Sequence, residues 1–259
     1  PSSTSYNASI KINCMDKLDR EILFHLFKDG RSSLYSISSK LGLDYSRVVY
    51  RYNRLLREVI QGFTLYVNPN LLGLRRYYGV TDSTCPGSTS LEFRCVEGYS
   101  FCELFAREES DWLLFYSPEQ VPLNPSKVDL RLISALREDP RASPSQLSRH
   151  SGIPLSTVKR HLRYLEGRGL IRVFPNLRDS NFLLFSVISG SEQVRYYLSK
   201  YLLAEIGLGD ASYFLCHSPS VGELGTISRK VRELDNQAKV LVKDYFGVRD
   251  YYVNLLAIG

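Results

Sequence analysis

The fold of this chain is decided by residues 127–165, which read KVDLRLISALREDPRASPSQLSRHSGIPLSTVKRHLRYL. The same pattern stands 110 positions earlier, where residues 17–55 read KLDREILFHLFKDGRSSLYSISSKLGLDYSRVVYRYNRL. Apolar positions match even where identities do not, as at Ile22/Leu132, Leu26/Leu136 and Ile37/Leu147. A period this long far exceeds the roughly 20 to 50 residues of a solenoid repeat, so it predicts one small domain present in two copies.

The second copy has the apolar spacing of three helices. Val128, Leu132 and Leu136 recur at helical spacing and predict the first helix. Ser143, followed by a proline and, three positions on, a glutamine, predicts a capped second helix over about 144–150 that stops at Gly152. A third helix is predicted over 155–166, and a short strand over 170–174 follows its closing glycines. This order is typical of a winged helix-turn-helix.

The outward face of that third helix is the candidate recognition surface. Its inward residues are Val158, Leu162 and Leu165, which leaves a polar and basic face. Such a face suits the major groove, where Arg and Lys pair with guanine edges, while flanking arginines suit phosphates. The predicted DNA-binding residues of this copy are Ser156, Thr157, Lys159, Arg160, Arg163, Arg168 and Arg172. The alternative is an ordinary surface helix with scattered basic residues.

The first copy follows the same plan, with Ser33 and Asp44 as predicted helix caps and Gly42 in the turn. Its predicted DNA-binding residues are Arg47, Tyr50, Arg51 and Arg54. Val49 points partly outward, which suits a thymine methyl or a protein partner equally well. The glycines that close the second copy are replaced here by Glu58-Val59. We therefore expect the second copy to be the stronger DNA-binding module.

Positive charge is concentrated in the repeats. The whole chain has a net charge of +6, but residues 17–57 carry +5 and residues 127–172 carry +6, which leaves −5 for the remainder. That distribution is the one expected when a dedicated module meets a polyanion such as DNA.

The repeats resemble the DNA-binding domain of the Lrp/AsnC regulators. In the second copy the matching residues are Asp129, Leu132-Ile133, Leu136, Asp139, Arg141, Ser143, Leu147, Ser148, Gly152-Ile153, Ser156-Thr157-Val158, Leu165-Glu166 and Gly169-Leu170-Ile171. In the first copy they are Asp19, Ile22-Leu23, Asp29-Gly30-Arg31, Leu41-Gly42-Leu43, Ser46, Val48, Arg51 and Leu55. Pro154 and Asp44 stand where the family usually has a serine cap. The family normally carries one such domain per chain, followed by a βαββαβ domain that dimerises and often binds amino acids.

The resemblance implies an α+β fold with five segments. These are an N-terminal tail (1–14), a first helix-turn-helix (15–66), a short α+β element (67–121), a winged helix-turn-helix (122–175) and an α+β effector or dimerisation domain of ferredoxin-like type (176–259). In the last segment, alternating patterns predict strands at Phe182–Ser189, Ala211–His217, Lys239–Phe246 and Asp250–Ala257, and helices at Glu192–Ile206 and Val221–Leu234. After the first copy we predict a hairpin of Phe101–Ala106 with Asp111–Tyr116, in an element too short for the full domain.

Other classes of function find little support. The five cysteines form no Cys-x-x-Cys pair, which predicts free thiols in a reducing cytoplasm and no metal site. No phosphate loop, dinucleotide fingerprint or nucleophile elbow is present, so we expect no enzyme activity and no cofactor. Siroheme decarboxylases resemble Lrp-type regulators in fold, but the His-Asn-Tyr stretch and arginine pair expected of them are not in their usual places. No apolar run is long enough to span a bilayer.

The sequence thus predicts a cytoplasmic transcriptional regulator that binds double-stranded DNA through two helix-turn-helix modules. A homodimer through the α+β segments and a small-molecule effector are further partners that the resemblance implies. The competing hypothesis is a protein–protein interaction module, at least for the first copy.

Overall fold

In the computed structural model, the 259-residue chain is described over residues 15–107, 116–178 and 182–253. The predicted tail at 1–14 and most of the predicted strand Asp111–Tyr116 lie outside these ranges. The helices are α1 Lys17–Lys28, α2 Leu34–Leu41, α3 Tyr45–Glu58, α4 Lys127–Glu138, α5 Pro144–Ser151, α6 Leu155–Gly167, α7 Glu192–Leu198 and α8 Val221–Leu234, with a 3-10 turn at Pro69–Leu72. The strands are β1 Ile60–Val67, β2 Arg75–Thr81, β3 Thr89–Cys95, β4 Ser100–Ala106, β5 Ile171–Leu177, β6 Leu183–Ser189, β7 Leu202–Gly207, β8 Ser212–Ser218 and β9 Lys239–Val248.

Local sequence signals account for the helices of both repeats. Ser143 and Gln146 form the predicted capping box at the start of α5, and Ser33 caps α2 through the Ser36 amide. The turns before the third helices are closed by Gly42 and Gly152, both in the left-handed region. Asp44 stands at the N-cap position of α3, but its side chain makes no capping hydrogen bond. That part of the prediction is wrong.

The two helical repeats are joined through their wings. β1 follows α3 and β5 follows α6, and the two strands pair antiparallel from Ile60↔Leu177 to Val67↔Ile171. Both strands contribute to both cores, with Ile60 and Phe174 in the first and Val67 and Ile171 in the second. The two cores therefore lie side by side around one two-stranded ribbon.

The remaining strands form a seven-stranded sheet of order β2-β4-β3-β9-β6-β8-β7. On the β6–β8–β9 side, α7 and α8 cover one face through a shared core that includes Phe185, Val194 and Ile227. The other face folds back on itself, because the ring of Phe101 on β4 stacks on Tyr213 of β8 with centroids 3.9 Å apart. The two halves of the sheet therefore enclose a common aromatic core.

Three elements differ from the sequence prediction. The helix expected to reach Ile206 ends at Leu198, because residues 202–207 pair with β8 as an edge strand. Strand β4 pairs with β2 and β3, and Tyr116 bridges Tyr78 instead of joining a hairpin with β4. Residues 250–253 form a turn where a strand was expected, and 254–257 lie outside the described residues. In the first two cases the strand partner decides the conformation.

The cysteine prediction is also wrong in part. Cys85 and Cys102 form a disulfide, which ties the segment after β2 to the outer face of β4. Tyr77 and Leu104 are buried beside it. Cys95 and Cys216 are free and buried. No helix in the described ranges is long and apolar enough to cross a membrane.

Candidate nucleic-acid interface

The exposed face of α6 is the strongest candidate surface for DNA. Val158, Leu162 and Leu165 are all less than 5% exposed and hold the helix against its core. The opposite face presents the predicted residues Ser156, Lys159, Arg160 and Arg163 as exposed, with Thr157 half-buried beside them. Within the described part of the chain, no carboxylate lies within ion-pair distance of these three cations. Their charge is therefore available to a polyanion.

A buried polar pair orients α6 on α4. The Nδ1 atom of His161 lies 2.7 Å from the Asp129 carboxylate, and Ser126 donates to the same carboxylate. Burial alone would raise the pKa of Asp129, but the hydrogen bonds from Ser126 and His161 outweigh it and lower that pKa. The recognition helix is thus anchored by a side chain that points away from its basic face.

The third helix of the first copy uses its arginines differently. Arg51 pairs with Asp16 at 2.5 Å and Arg54 pairs with the buried Asp19, so both guanidinium groups bind the start of α1. Arg51 occupies the repeat position of His161, and Asp19 that of Asp129. Two of the four predicted DNA-binding residues in this copy are therefore engaged inside the protein. Arg47 and Tyr50 remain exposed.

Arg168 and Arg172, both predicted to contact phosphates, lie in different environments. Arg168 is exposed, with its guanidinium 5.7 Å from the Tyr164 ring centroid. Arg172 is half-buried and donates to the Lys28 carbonyl of the other repeat at 3.0 Å. Burial lowers the pKa of Arg172. The structure therefore places Arg168 on the surface and Arg172 in the contact between the repeats.

Two arginines missed as functional residues hold the repeats together, and we call them the arginine clasp. Arg31 donates to the carbonyls of Pro140 (2.6 Å) and Ala142 (2.9 Å). Arg141 donates in return to the carbonyls of Gly30 and Ser32. Since these residues occupy equivalent repeat positions, the contact has the reciprocity of a two-fold interface. The recurrence of Asp-x-Arg at 29–31 and 139–141 is the sequence feature from which this contact could have been predicted.

The clasp brings backbone segments of the two repeats very close together. The Gly30 amide donates to the Val173 carbonyl of β5 at 3.1 Å, and a Cβ atom at Gly30 would overlap that carbonyl. The second repeat has Pro140 at this position. The interface is therefore reciprocal in its arginines but unequal in its backbone contacts.

The outer surfaces of the two repeats also differ. Exposed aromatic and apolar side chains mark the first repeat, namely Tyr35, Tyr45, Tyr50 and Leu56. The second repeat exposes Leu155 and Tyr164, but beside the basic residues of α6 described above. The two repeats therefore present unequal outer surfaces, although the arginine clasp joins them.

Sequence comparisons match both repeats to known families. Residues 15–56 match the AsnC-type helix-turn-helix domain, and residues 125–172 match the winged helix-turn-helix DNA-binding family. The chain is 32% identical over 105 residues to the HTH-type transcriptional regulator LrpA of Mycobacterium tuberculosis, a match that covers 39% of this chain and 70% of LrpA. It is 42% identical over 59 residues to the leucine-responsive regulatory protein of Escherichia coli K12. That match spans 22% of this chain and only 36% of the relative.

Comparison with solved structures gives weaker similarities. The siroheme decarboxylase NirDL aligns over 89% of this chain and 93% of its own, with a TM-score of 0.46 and 10% identity. The M. tuberculosis leucine response regulatory protein LrpA aligns over 49% of this chain and 94% of its own, with a TM-score of 0.34 and 18% identity.

Proposed function

Since the chain belongs to the Lrp/AsnC family of helix-turn-helix transcriptional regulators, we propose that it binds DNA as a single-chain counterpart of a dimer. The observation that carries this proposal is the arginine clasp, which joins the two helix-turn-helix units by reciprocal contacts. A regulator built this way binds two half-sites with one polypeptide, centred about one helical turn (~10 bp) or a multiple of it apart.

The two half-sites are proposed to be unlike. Lys159, Arg160 and Arg163 on α6 favour guanine-containing steps in the major groove. Arg47 and Tyr50 present a less basic surface from the first repeat. We therefore assign most of the sequence choice to α6 and a supporting role to α3, with Ser156, Thr157 and Arg168 adding contacts to bases or phosphates.

Selection from randomised duplex DNA, followed by fluorescence anisotropy on the selected site, tests this proposal. Replacing both Arg160 and Arg163 with alanine is expected to lower affinity for the selected site by 10- to 100-fold, about 1 to 3 kcal/mol for a good bidentate base contact. The matched control is Arg229→Ala, which removes an exposed arginine of α8 and should leave affinity unchanged. Equal affinities for the double variant and the wild-type protein would refute the assignment of α6.

A salt titration separates phosphate contacts from base contacts. Arg168→Ala is expected to make the slope of log K against log salt shallower by about 0.9, the release of roughly one counterion, while base preference is kept. If the selected DNA contained a single half-site, the proposal that both helix-turn-helix modules bind DNA would be contradicted.

The remaining segments are proposed to have supporting roles. We propose the five segments with the boundaries given above, in which residues 67–121 are a shortened counterpart of residues 176–259. Strands β2–β4 and the helix-covered β6–β9 unit occupy opposite halves of one sheet, which supports this relationship. Binding of a small-molecule effector and pairing of two chains are proposed for these α+β segments, and light scattering with and without DNA measures the latter.

A further inference from the structure

A cleft of about 920 Å³ lies between the first repeat and the α+β part of the chain. Its walls come from α1, the paired wings β1 and β5, the start of β6, the loop before α8 and the end of β9. Any occupant would thus touch the DNA-binding half and the sheet half at once.

The apolar part of the cleft is aromatic. Phe27 of α1 stacks on Phe182 with centroids 5.1 Å apart, and Phe246 of β9 lies 6.3 Å from Phe27. Phe182 also stacks on the buried His217 at 4.0 Å. Phe27 and Phe182 are themselves buried behind the wall, and the half-buried Phe246 presents the apolar surface that suits the body of a small organic molecule.

The polar part of the cleft is positively charged. Among the described lining residues, Arg20, Arg178 and Lys243 are cationic and Asp244 is the one carboxylate. Lys243 has no ion pair with any residue in the described ranges. Burial lowers the pKa of Lys243 to about 8, so it still carries its charge at neutral pH.

Two further features of the cleft also favour a negatively charged ligand. Arg20 donates through Nη1 to the Met15 carbonyl at 2.6 Å, but its buried Nε has no hydrogen-bond partner among the described residues. The 14-residue helix α8 starts at the cleft wall with Ser220 and Val221, so its positive end lies at the same cleft. The positive charge of Arg20 and a helix N-terminus both favour a negatively charged group.

We infer that this cleft binds a small organic anion, a carboxylate attached to an apolar or aromatic body. The carboxylate would lie toward Arg20 and Lys243, and the body against Phe246, which Phe27 and Phe182 support from behind. The inference deepens the proposed function and rests on it only for its consequence, which is that the occupant changes DNA affinity by changing how α1 and the wings sit on the sheet.

Isothermal titration of the full chain, without DNA, tests the site directly. The probes are phenylacetate, its neutral counterpart 2-phenylacetamide, and inorganic phosphate. Phenylacetate is expected to bind at least about tenfold more tightly than either of the others, a difference of ~1.4 kcal/mol. Equal binding of phenylacetate and 2-phenylacetamide, or no binding of phenylacetate, would overturn the inference.

Variants of one strand locate the bound anion. Lys243→Gln is expected to weaken phenylacetate binding by about fivefold or more, and Lys243→Arg to retain most of it. Lys239→Gln, at an exposed lysine of the same strand β9, is the matched control and should bind as the wild type does. Loss of binding in the control, or full binding by Lys243→Gln, would place the ligand elsewhere.

A final experiment tests the ligand site and the DNA-binding proposal independently of each other. Phenylacetate is titrated into the protein on its selected DNA site. Binding to the free protein with a change in DNA affinity supports both proposals, and binding with no change refutes the regulatory consequence alone. Failure to bind DNA under all conditions refutes the proposed function while the direct titration still decides the site.

Discussion

Replacing Arg141 with alanine should destabilise the contact between the two helix-turn-helix repeats by about 3 kcal/mol. Arg141 donates to the Gly30 and Ser32 carbonyls, and hydrogen bonds from a charged donor contribute about 1.5 kcal/mol each at the low end. Its guanidinium also lies over the rings of Tyr52 (5.3 Å) and Phe63 (4.8 Å), which adds about 0.5 kcal/mol each. Burial, which lowers the pKa of Arg141, opposes these contributions, and the net loss of about 3 kcal/mol lies at the low end of what breaking a buried charged contact costs.

The assay is amide hydrogen exchange together with urea unfolding followed by circular dichroism. Exchange at the Gly30 amide reports on the contact directly, because this amide donates to the Val173 carbonyl across it. Arg141→Lys keeps the charge but cannot fork to two carbonyls, so we expect it to lose about half of the effect. Arg149→Ala removes an exposed arginine of α5 and should change stability by less than about 0.5 kcal/mol. A change equally small in Arg141→Ala, with unaltered exchange at Gly30, would refute the reasoning.

Three further predictions concern single positions. Gly30→Ala should push the turn after α1 away from β5 and destabilise the chain by at least about 2 kcal/mol, because the new Cβ overlaps the Val173 carbonyl, and urea unfolding measures this. Burial and the nearby charge of Arg20 lower the pKa of His217 to about 4 from 6.5. The unfolded chain therefore takes up a proton below pH 6.5 that the folded chain does not accept until about pH 4, so stability falls by up to ~3 kcal/mol over this window. His217→Phe should flatten that fall in thermal melts, and an unchanged acid profile would contradict the assignment. Lys243→Met should stabilise the chain at pH 7 by roughly 2 kcal/mol, since the lowered pKa of Lys243 reflects a buried charge. This gain in stability should shrink between pH 8 and 10.5, as the lysine of the unfolded chain also loses its proton.

Much of the helical part could be predicted from local sequence. The capping box of Ser143 and Gln146 and the left-handed turns at Gly42 and Gly152 involve residues a few positions apart, so the sequence carries the whole signal. The inward stripes of α3 and α6 follow from helical periodicity in the same way.

The candidate site was only partly predictable. Periodicity placed Arg51, Arg54, Arg160 and Arg163 alike on outward faces. The structure separates them, because Asp16 and Asp19 at the start of α1 bind the first two, whereas no described carboxylate reaches the others. Arg172 was likewise assigned to phosphate but donates across the contact between the repeats. A single helix's pattern cannot show which neighbour will meet each of its side chains.

The sequence by itself determined that this chain contains one small helical domain twice, where the helices of that domain start and stop, and that it belongs with DNA-binding regulators. Those properties depend on contacts between residues three or four positions apart. Only the tertiary structure decided that the two domains clasp each other through Arg31 and Arg141, that β3 and β9 join the strands into one sheet, and which cations stay free for DNA. The clasp contacts join residues more than 100 positions apart, and the ion pairs of Arg51 and Arg54 join residues 35 apart, so only the packing of the chain brings them together.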